Sequence, residues 1–143
     1  MTEKILKEKL RRYRRILKDY ESELRRLEEL EHMSTSMRSL SDLSERVRSS
    51  SSASAKYESV VLDKVTLENE LSAVLEEVRS AKEETEALIQ LAETREQQLL
   101  LRCRYIDGME FEQIAKVLKF SEQNVYFIHK KALGSILESI RVG

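Results

Sequence analysis

The sequence has no proline and no tryptophan, and its three glycines are Gly108, Gly134 and Gly143. Glycine and proline are the residues that interrupt helices most strongly, so their scarcity favours helix over sheet. The single cysteine, Cys103, excludes an internal disulfide and leaves no partner for a cysteine-rich zinc spacing. We expect this cysteine to pack as a small apolar residue inside a helix. The sequence predicts an all-α chain.

The sequence also lacks the features of membrane proteins and of common enzymes. No apolar run approaches the roughly 20 residues of a membrane span, and no signal-type hydrophobic core follows the N-terminus. The two histidines, His32 and His129, stand far apart without cysteines or carboxylates at ligand spacing, and no glycine-rich phosphate loop is present. We predict a cytoplasmic protein that is not an enzyme and that has no membrane partner, metal or cofactor.

Charge is unevenly distributed along the chain, although the formal net charge is only −1. Basic residues outnumber acidic ones over residues 1–27, and acidic residues outnumber basic ones over residues 57–96. Segregation of this kind lets one segment pair with the other. The partner of the basic stretch can therefore lie in the same chain.

Two segments repeat apolar residues at alternating steps of four and three, which is the heptad pattern of helices that bury a narrow stripe against another helix. Residues 1–33 and 57–92 are therefore predicted to form a long antiparallel coiled-coil-like helical hairpin, with Arg11–Arg15 opposite Glu76, Glu77, Glu83 and Glu84. A second chain could complete the same seams, and we expect a homodimer. The first seam comprises Leu6, Leu10, Tyr13, Leu17, Tyr20, Leu24 and Leu27, and the second comprises Leu67, Leu71, Val74, Val78, Ala81, Thr85, Leu88 and Ala92.

Residues 34–56 separate the two seams and are rich in serine, ending in the run Ser49–Ser52. Serine disfavours helix interiors because its hydroxyl competes for backbone hydrogen bonds. This segment is predicted to be a mobile linker or a frayed helix end. A faint helical spacing of Met37, Leu40, Leu43 and Val47 is compatible with one or two helical turns.

Residues 93–143 are predicted to form a three-helix module with a helix-turn-helix. The stretch ETREQQLLLRCRYIDG forms a supporting helix, with Leu99, Leu100, Cys103 and Ile106 facing inward, and Asp107-Gly108 closes that helix. The following stretch FEQIAKVLKFSEQNVYFIHK fits the helix-turn-helix template, with Ser121 as N-cap of its second helix. A small helical hairpin without a ligand is the alternative. The predicted core positions are Ile114, Ala115, Leu118, Phe120, Val125 and Ile128.

The stretch RCRYIDGMEFEQIAKVLKFSEQNVYFIHKKAL resembles the fourth region of bacterial sigma factors. It more closely resembles sigma-like regulators encoded by phages and prophages of low-GC Gram-positive bacteria, of the ArpU and RinA kind. The plan of the chain is similar, over nearly its whole length, to an uncharacterised phage family of this type. The resemblance implies control of phage gene transcription, late genes included, by binding of promoter DNA in a bacterial host.

Candidate DNA-binding residues follow from the geometry of a recognition helix, which reads bases with side chains near its N-terminus. The predicted base-facing residues are Ser121, Glu122, Gln123, Tyr126 and Phe127, and the predicted phosphate contacts are Lys119, His129, Lys130 and Lys131. Gln123 is the best candidate for a specific contact because its amide can pair in bidentate fashion with adenine. The Glu122 carboxylate could accept a hydrogen bond from the amino group of cytosine. Alternatively, it only stabilises the N-terminus of the helix electrostatically.

Two of these residues fit the template poorly. Lys119 stands at the turn position that favours glycine, where a left-handed lysine costs about 1 kcal/mol. Phe127 points outward, which leaves three interpretations open: contact with a thymine methyl, contact with another protein, or a weakened DNA reader. The arginines of residues 11–15 are likewise either a solvated coiled-coil flank or a second DNA contact.

The sequence therefore predicts a sequence-specific transcriptional regulator of phage or prophage genes that binds double-stranded promoter DNA, with RNA polymerase as a further expected partner. One alternative is the small subunit of a DNA-packaging terminase, which also combines a helix-turn-helix with an oligomerising helical part. Another is an interaction module that contacts RNA polymerase without binding DNA, as the outward Phe127 would allow.

Overall fold

The computed structural model describes the backbone of residues 1–44 and 51–143 and the side chains of residues 1–37 and 54–143. All secondary structure in these ranges is helical, which confirms the all-α prediction for them. None of the described helices combines the length and the apolar character that a membrane span needs. The helices are α1 (Glu3–Ser44), α2 (Ser51–Gln90), α3 (Arg95–Leu101), a π-helical turn (Arg102–Ile106), α4 (Phe111–Leu118) and α5 (Glu122–Val142).

Helices α1 and α2 extend into the segment predicted as a linker. Because α1 ends at Ser44 and α2 begins at Ser51, the helical part of residues 34–56 is longer than the one or two turns expected. The penalty for serine in a helix is only a few tenths of a kcal/mol per residue, which an already nucleated helix can absorb. Thr35 satisfies its hydroxyl by donating to the Glu31 carbonyl at 2.9 Å. Residues 45–50 lie outside the described residues.

The chain divides into two compact units. Unit 1 comprises Met1–Leu17 and Glu77–Gly143, and unit 2 comprises Lys18–Glu76. Helices α1 and α2 therefore contribute to both units. The first turns of α1 and the last turns of α2 share a unit with the module predicted at residues 93–143.

Residues of both heptad seams are buried within the one chain. In unit 1, Leu6 and Leu10 of α1 are fully buried in a cluster that includes Ile89 and Ala92 of α2. The Arg12 guanidinium lies 3.3 Å from the Glu84 carboxylate, as the antiparallel arrangement predicted. Arg11 and Arg15 instead contact Glu8 of their own helix, at 3.9 and 3.8 Å.

Unit 2 repeats the side-by-side packing of α1 and α2. Val60, Leu67 and Leu71 of α2 are buried there. Arg26 and Leu30 of α1 line a groove together with α2 residues 63–70. Low-numbered residues of α1 thus face high-numbered residues of α2 in unit 1, and the reverse holds in unit 2, as two antiparallel helices require.

The core of unit 1 lies on two sides of α3 and its π-helical continuation. Leu101 and Tyr105 belong to the cluster formed with α1, α2 and the second half of α5, whereas Leu100 belongs to a cluster formed with α4 and the start of α5. The amide of Asp107 donates to the Arg102 carbonyl at 3.0 Å across the wider π-helical turn. Leu101 and Tyr105 are four residues apart and share one side of this segment.

The inward face predicted for this supporting helix needs one correction. Leu100 is buried, and Cys103 and Ile106 are partly buried against the two clusters, but Leu99 is 44% exposed. The predicted inward face did not include Leu101 and Tyr105, because this helix packs on two sides. Gly108 closes the segment at φ 71°, as expected for the helix end.

Polar side chains tie the corner between α2 and α3 to α5. The Gln97 carboxamide oxygen accepts from the Glu93 amide at 3.1 Å and from the Ser135 hydroxyl at 3.0 Å. Thr94 caps α3, because its hydroxyl accepts from the Gln97 amide at 3.1 Å. These bonds satisfy backbone groups that a helix start would otherwise leave unpaired. They also fix α5 against the start of α3.

Candidate nucleic-acid interface

Helices α4 and α5 are joined by a turn of three residues, Lys119, Phe120 and Ser121. Lys119 adopts the left-handed conformation, with φ 60° and ψ 42°, and the Phe120 amide donates to the Ala115 carbonyl at 2.9 Å. Ser121 is extended, and its hydroxyl accepts from the Asn124 amide at 3.1 Å. The left-handed residue thus ends α4, and the serine caps α5 immediately afterwards.

The six residues predicted to hold these helices together lie in one cluster. Four of them are buried alongside Leu100, and the remaining two are partly buried and pack against the cluster. Residue 115 is only 7% exposed, at a position where a larger side chain would meet its neighbours. The buried four are Ile114, Ala115, Val125 and Ile128, and the other two are Leu118 and Phe120.

The predicted base-facing residues form one exposed surface at the start of α5. Gln123, Phe127 and Lys130, spaced by four and three, lie along one line of the helix. Tyr126 is 52% exposed and Phe127 58% exposed, although both are large aromatic residues. Ser121, Glu122, Lys119 and Lys131 are also exposed. Of the nine predicted contacts, all but His129 are therefore accessible.

His129 lies in the interior, and the prediction that it contacts phosphate is corrected. It is 8% exposed, and its Nε2 forms a hydrogen bond with the Tyr105 hydroxyl at 2.8 Å. Burial, assisted by repulsion from Lys7 and Arg104, lowers the pKa of the imidazole from 6.5 to about 4. The ring is therefore neutral near pH 7. Position 129 follows buried Val125 by four residues, a spacing that could have shown its inward direction.

Three contacts of aromatic rings at this surface were not predicted from the sequence. The Arg104 guanidinium lies 4.4 Å from the centroid of Phe111, and the Phe111 ring lies 4.6 Å from that of Tyr126. The Lys131 ammonium lies 5.0 Å from the centroid of Phe127. Contacts between cations and aromatic faces are attractive, typically by about 0.5–1 kcal/mol at exposed sites. They orient Tyr126 and Phe127 while leaving both rings accessible.

The left-handed conformation of Lys119 leads to a prediction about the stability of the chain. Replacing Lys119 with glycine should raise the free energy of unfolding by roughly 0.5–1 kcal/mol, because glycine adopts positive φ without the steric cost. Lys116→Gly, which removes the same charge from the exposed interior of α4, should lower it by about 1 kcal/mol. Urea denaturation of both variants checks the prediction. A Lys119→Gly variant no more stable than the parent chain would contradict it.

The chain belongs to a family of proteins of unknown function, DUF1492, whose model matches residues 39–137. The match includes all of α2 to α4 and most of α5, and it leaves most of α1 outside. No curated protein and no solved structure matches the chain.

Proposed function

We propose that this DUF1492 protein is a sequence-specific, DNA-binding regulator of transcription, in which α4 and α5 form a helix-turn-helix and α5 is the recognition helix. The observation that carries the proposal is the joint between these helices. A three-residue turn, a serine cap and a shared apolar cluster fix α5 while its outward N-terminal half stays exposed. That is the arrangement by which a helix-turn-helix presents one helix to the major groove.

The exposed residues of α5 divide by chemistry into base-reading and phosphate-binding groups. Gln123 can pair with adenine through both its donor and its acceptor, and Phe127 can contact a thymine methyl. Lys119, Lys130 and Lys131 supply charge for phosphates at the edges of the groove. Neutral, buried His129 is not among these groups. Adjacent adenine and thymine positions are thus the sequence preference that the side chains favour.

The resemblance to the fourth region of sigma factors supports promoter DNA as the target. It favours phage or prophage genes, late genes among them, and a site of action in the cytoplasm of a bacterial host. RNA polymerase is a further proposed partner. A homodimer is the proposed assembly, because two copies would read two half-sites and compensate for the few cations on one recognition helix.

The test begins with selection of duplexes from a random pool by the full chain, because the target sequence is not specified by the fold. On the selected duplex, Gln123→Ala should weaken binding by about 5- to 100-fold, corresponding to roughly 1–3 kcal/mol, and should relax preference at one adenine. Lys130→Ala should weaken binding to all duplexes about equally. Gel shifts at two salt concentrations measure both effects.

Gln90→Ala is the matched control, since this exposed glutamine ends α2, away from the α4–α5 joint in sequence. It should bind the selected duplex as the parent chain does. Failure to enrich any sequence would refute the proposal. Equal binding by the parent chain and Gln123→Ala would refute the assignment of the recognition helix.

A second candidate function is favoured by the exposed aromatic pair, Tyr126 and Phe127. Large aromatic residues are enriched where proteins bind other proteins. In this case α5 would contact RNA polymerase without DNA. Capture of purified polymerase that is lost in Phe127→Ala, together with no enriched duplex, would favour this function over the first.

A further inference from the structure

One flank of α1 lies beside the π-helical turn of unit 1. Leu6 and Leu10 pack in the same cluster as Tyr105 and Leu133, which places this face of α1 against the π-helical turn and α5. Arg14 donates to the Ile106 carbonyl at 3.5 Å, and a Cβ on Gly108 would come within 2.6 Å of its guanidinium. The flank that carries Arg14 therefore faces the turn and the loop that follows it.

Two further cations share this flank. Lys7 and Arg11 precede Arg14 by seven and three residues, so the three side chains project from the same side of the helix. Lys7 and Arg11 directly follow Leu6 and Leu10, which pack in the same cluster as Tyr105, the hydrogen-bond partner of His129. These two cations therefore project from the part of α1 that packs beside the buried pair behind α5.

The flank adjoins the recognition helix through a row of stacked groups. Arg104 lies over Phe111, and Phe111 lies against Tyr126 of α5, with separations of 4.4 and 4.6 Å. Phe111 also meets the buried His129 ring, at 5.0 Å between centroids. Arg104 of the π-helical turn therefore borders the exposed face of α5 on its Tyr126 side.

The acidic groups near this flank are exposed and only weakly attached. The Lys7 ammonium lies 3.4 Å from Glu3, Arg11 lies 3.9 Å from Glu8, and Arg104 lies 3.5 Å from Glu110. Exposed ion pairs contribute at most about 1 kcal/mol, so a polyanion can displace such carboxylates. Arg12 contacts acidic α2 through Glu84, at 3.3 Å.

We propose that Lys7 and Arg11 of α1, together with Arg104, form a phosphate-binding flank that grips the backbone of the DNA read by α5. This inference rests on the proposed function. A recognition helix inside the major groove, about 12 Å wide, has phosphates along its edges, where cations beside the helix meet them. The flank adds positive charge to the few cations of α5. In this proposal α1 contacts the DNA directly.

The experiment measures how affinity depends on salt for the selected duplex and for a scrambled duplex of equal length. Each lost phosphate contact should reduce the slope of log affinity against log salt by about 0.9. The double variant Lys7→Gln/Arg11→Gln should therefore make the slope shallower by about 1.8 on both duplexes. The ratio of its affinities for the selected and scrambled duplexes should stay that of the parent chain. Glu3→Gln, which frees Lys7, should strengthen binding to both duplexes.

The matched control is Lys9→Gln/Arg25→Gln, which removes the same charge from exposed positions elsewhere on α1. Its slope should equal that of the parent chain. Lys7→Arg/Arg11→Lys, which keeps the charge, should also retain the parent slope, and this separates a phosphate contact from a structural role.

The outcomes distinguish the two proposals. If Gln123→Ala weakens binding to the selected duplex but Lys7→Gln/Arg11→Gln keeps the parent slope, the flank is wrong and the proposed function stands. If the control double variant lowers the magnitude of the salt slope as much as the test double variant does, the effect comes from net charge alone. The proposed phosphate-binding flank would then be wrong. If the parent chain binds no duplex, both proposals fail.

Discussion

Replacing Leu10 with alanine should lower the free energy of unfolding by about 2–5 kcal/mol and should loosen α5 as well as α1. Leu10 is fully buried in the cluster that also contains Tyr105, Leu133 and Ile136. The truncation removes apolar area and leaves a cavity between α1 and α5, and both effects destabilise the folded state. Urea denaturation followed by far-ultraviolet circular dichroism measures the total loss, and hydrogen exchange of α5 amides locates it.

Ile5→Ala provides the control, because Ile5 is a neighbouring aliphatic residue of α1 that is 48% exposed. Its loss should stay within roughly 0.5 kcal/mol, as is usual for surface positions. If Leu10→Ala and Ile5→Ala unfold at the same urea concentration, α1 is not part of the core of unit 1. Unchanged exchange of α5 amides in Leu10→Ala would show that α5 is held by other contacts.

The periodicity of the sequence predicted which faces of the long helices are buried. Leu6, Leu10 and Tyr13 of the first seam are buried, and so are Leu67 and Leu71 of the second. A heptad pattern predicts the buried face because its apolar residues all lie on the same side of the helix, and that side packs away from water. The capping serine and the glycine with positive φ were also predictable, since each satisfies a local backbone requirement.

The sequence did not predict which elements the buried faces meet. Periodicity assigns one face to a helix but does not identify its neighbour, so the grouping of residues 1–17 with residues 77–143 was missed. The sequence also did not show that α3 packs on two sides, through its neighbouring residues Leu100 and Leu101. The stacking of Arg104, Phe111 and Tyr126 depends on three separate elements. Only the tertiary arrangement brings such residues together.

The buried pair of His129 and Tyr105 should make stability depend on pH in a defined direction. Because burial lowers the pKa of His129 from 6.5 to about 4, the unfolded chain binds a proton between these values that the folded chain does not. The contribution of the neutral ring is therefore complete above pH 6.5 and is lost as the pH falls towards 4. The total loss is about 3 kcal/mol, at 1.36 kcal/mol per pKa unit.

The comparison with His129→Gln isolates this histidine from the carboxylates that titrate in the same range. The glutamine side chain can accept a hydrogen bond from the Tyr105 hydroxyl but takes up no proton. The free energy of unfolding of the parent chain should therefore decline relative to that of this variant as the pH falls from 6.5 to 4. His32→Gln, at an exposed position, should follow the parent chain throughout. Urea denaturation at pH 4.5, 5.5, 6.5 and 7.5 gives the three curves. Parallel curves for the parent chain and His129→Gln would mean that the folded and unfolded chains bind this proton equally, and the lowered pKa of His129 would be wrong.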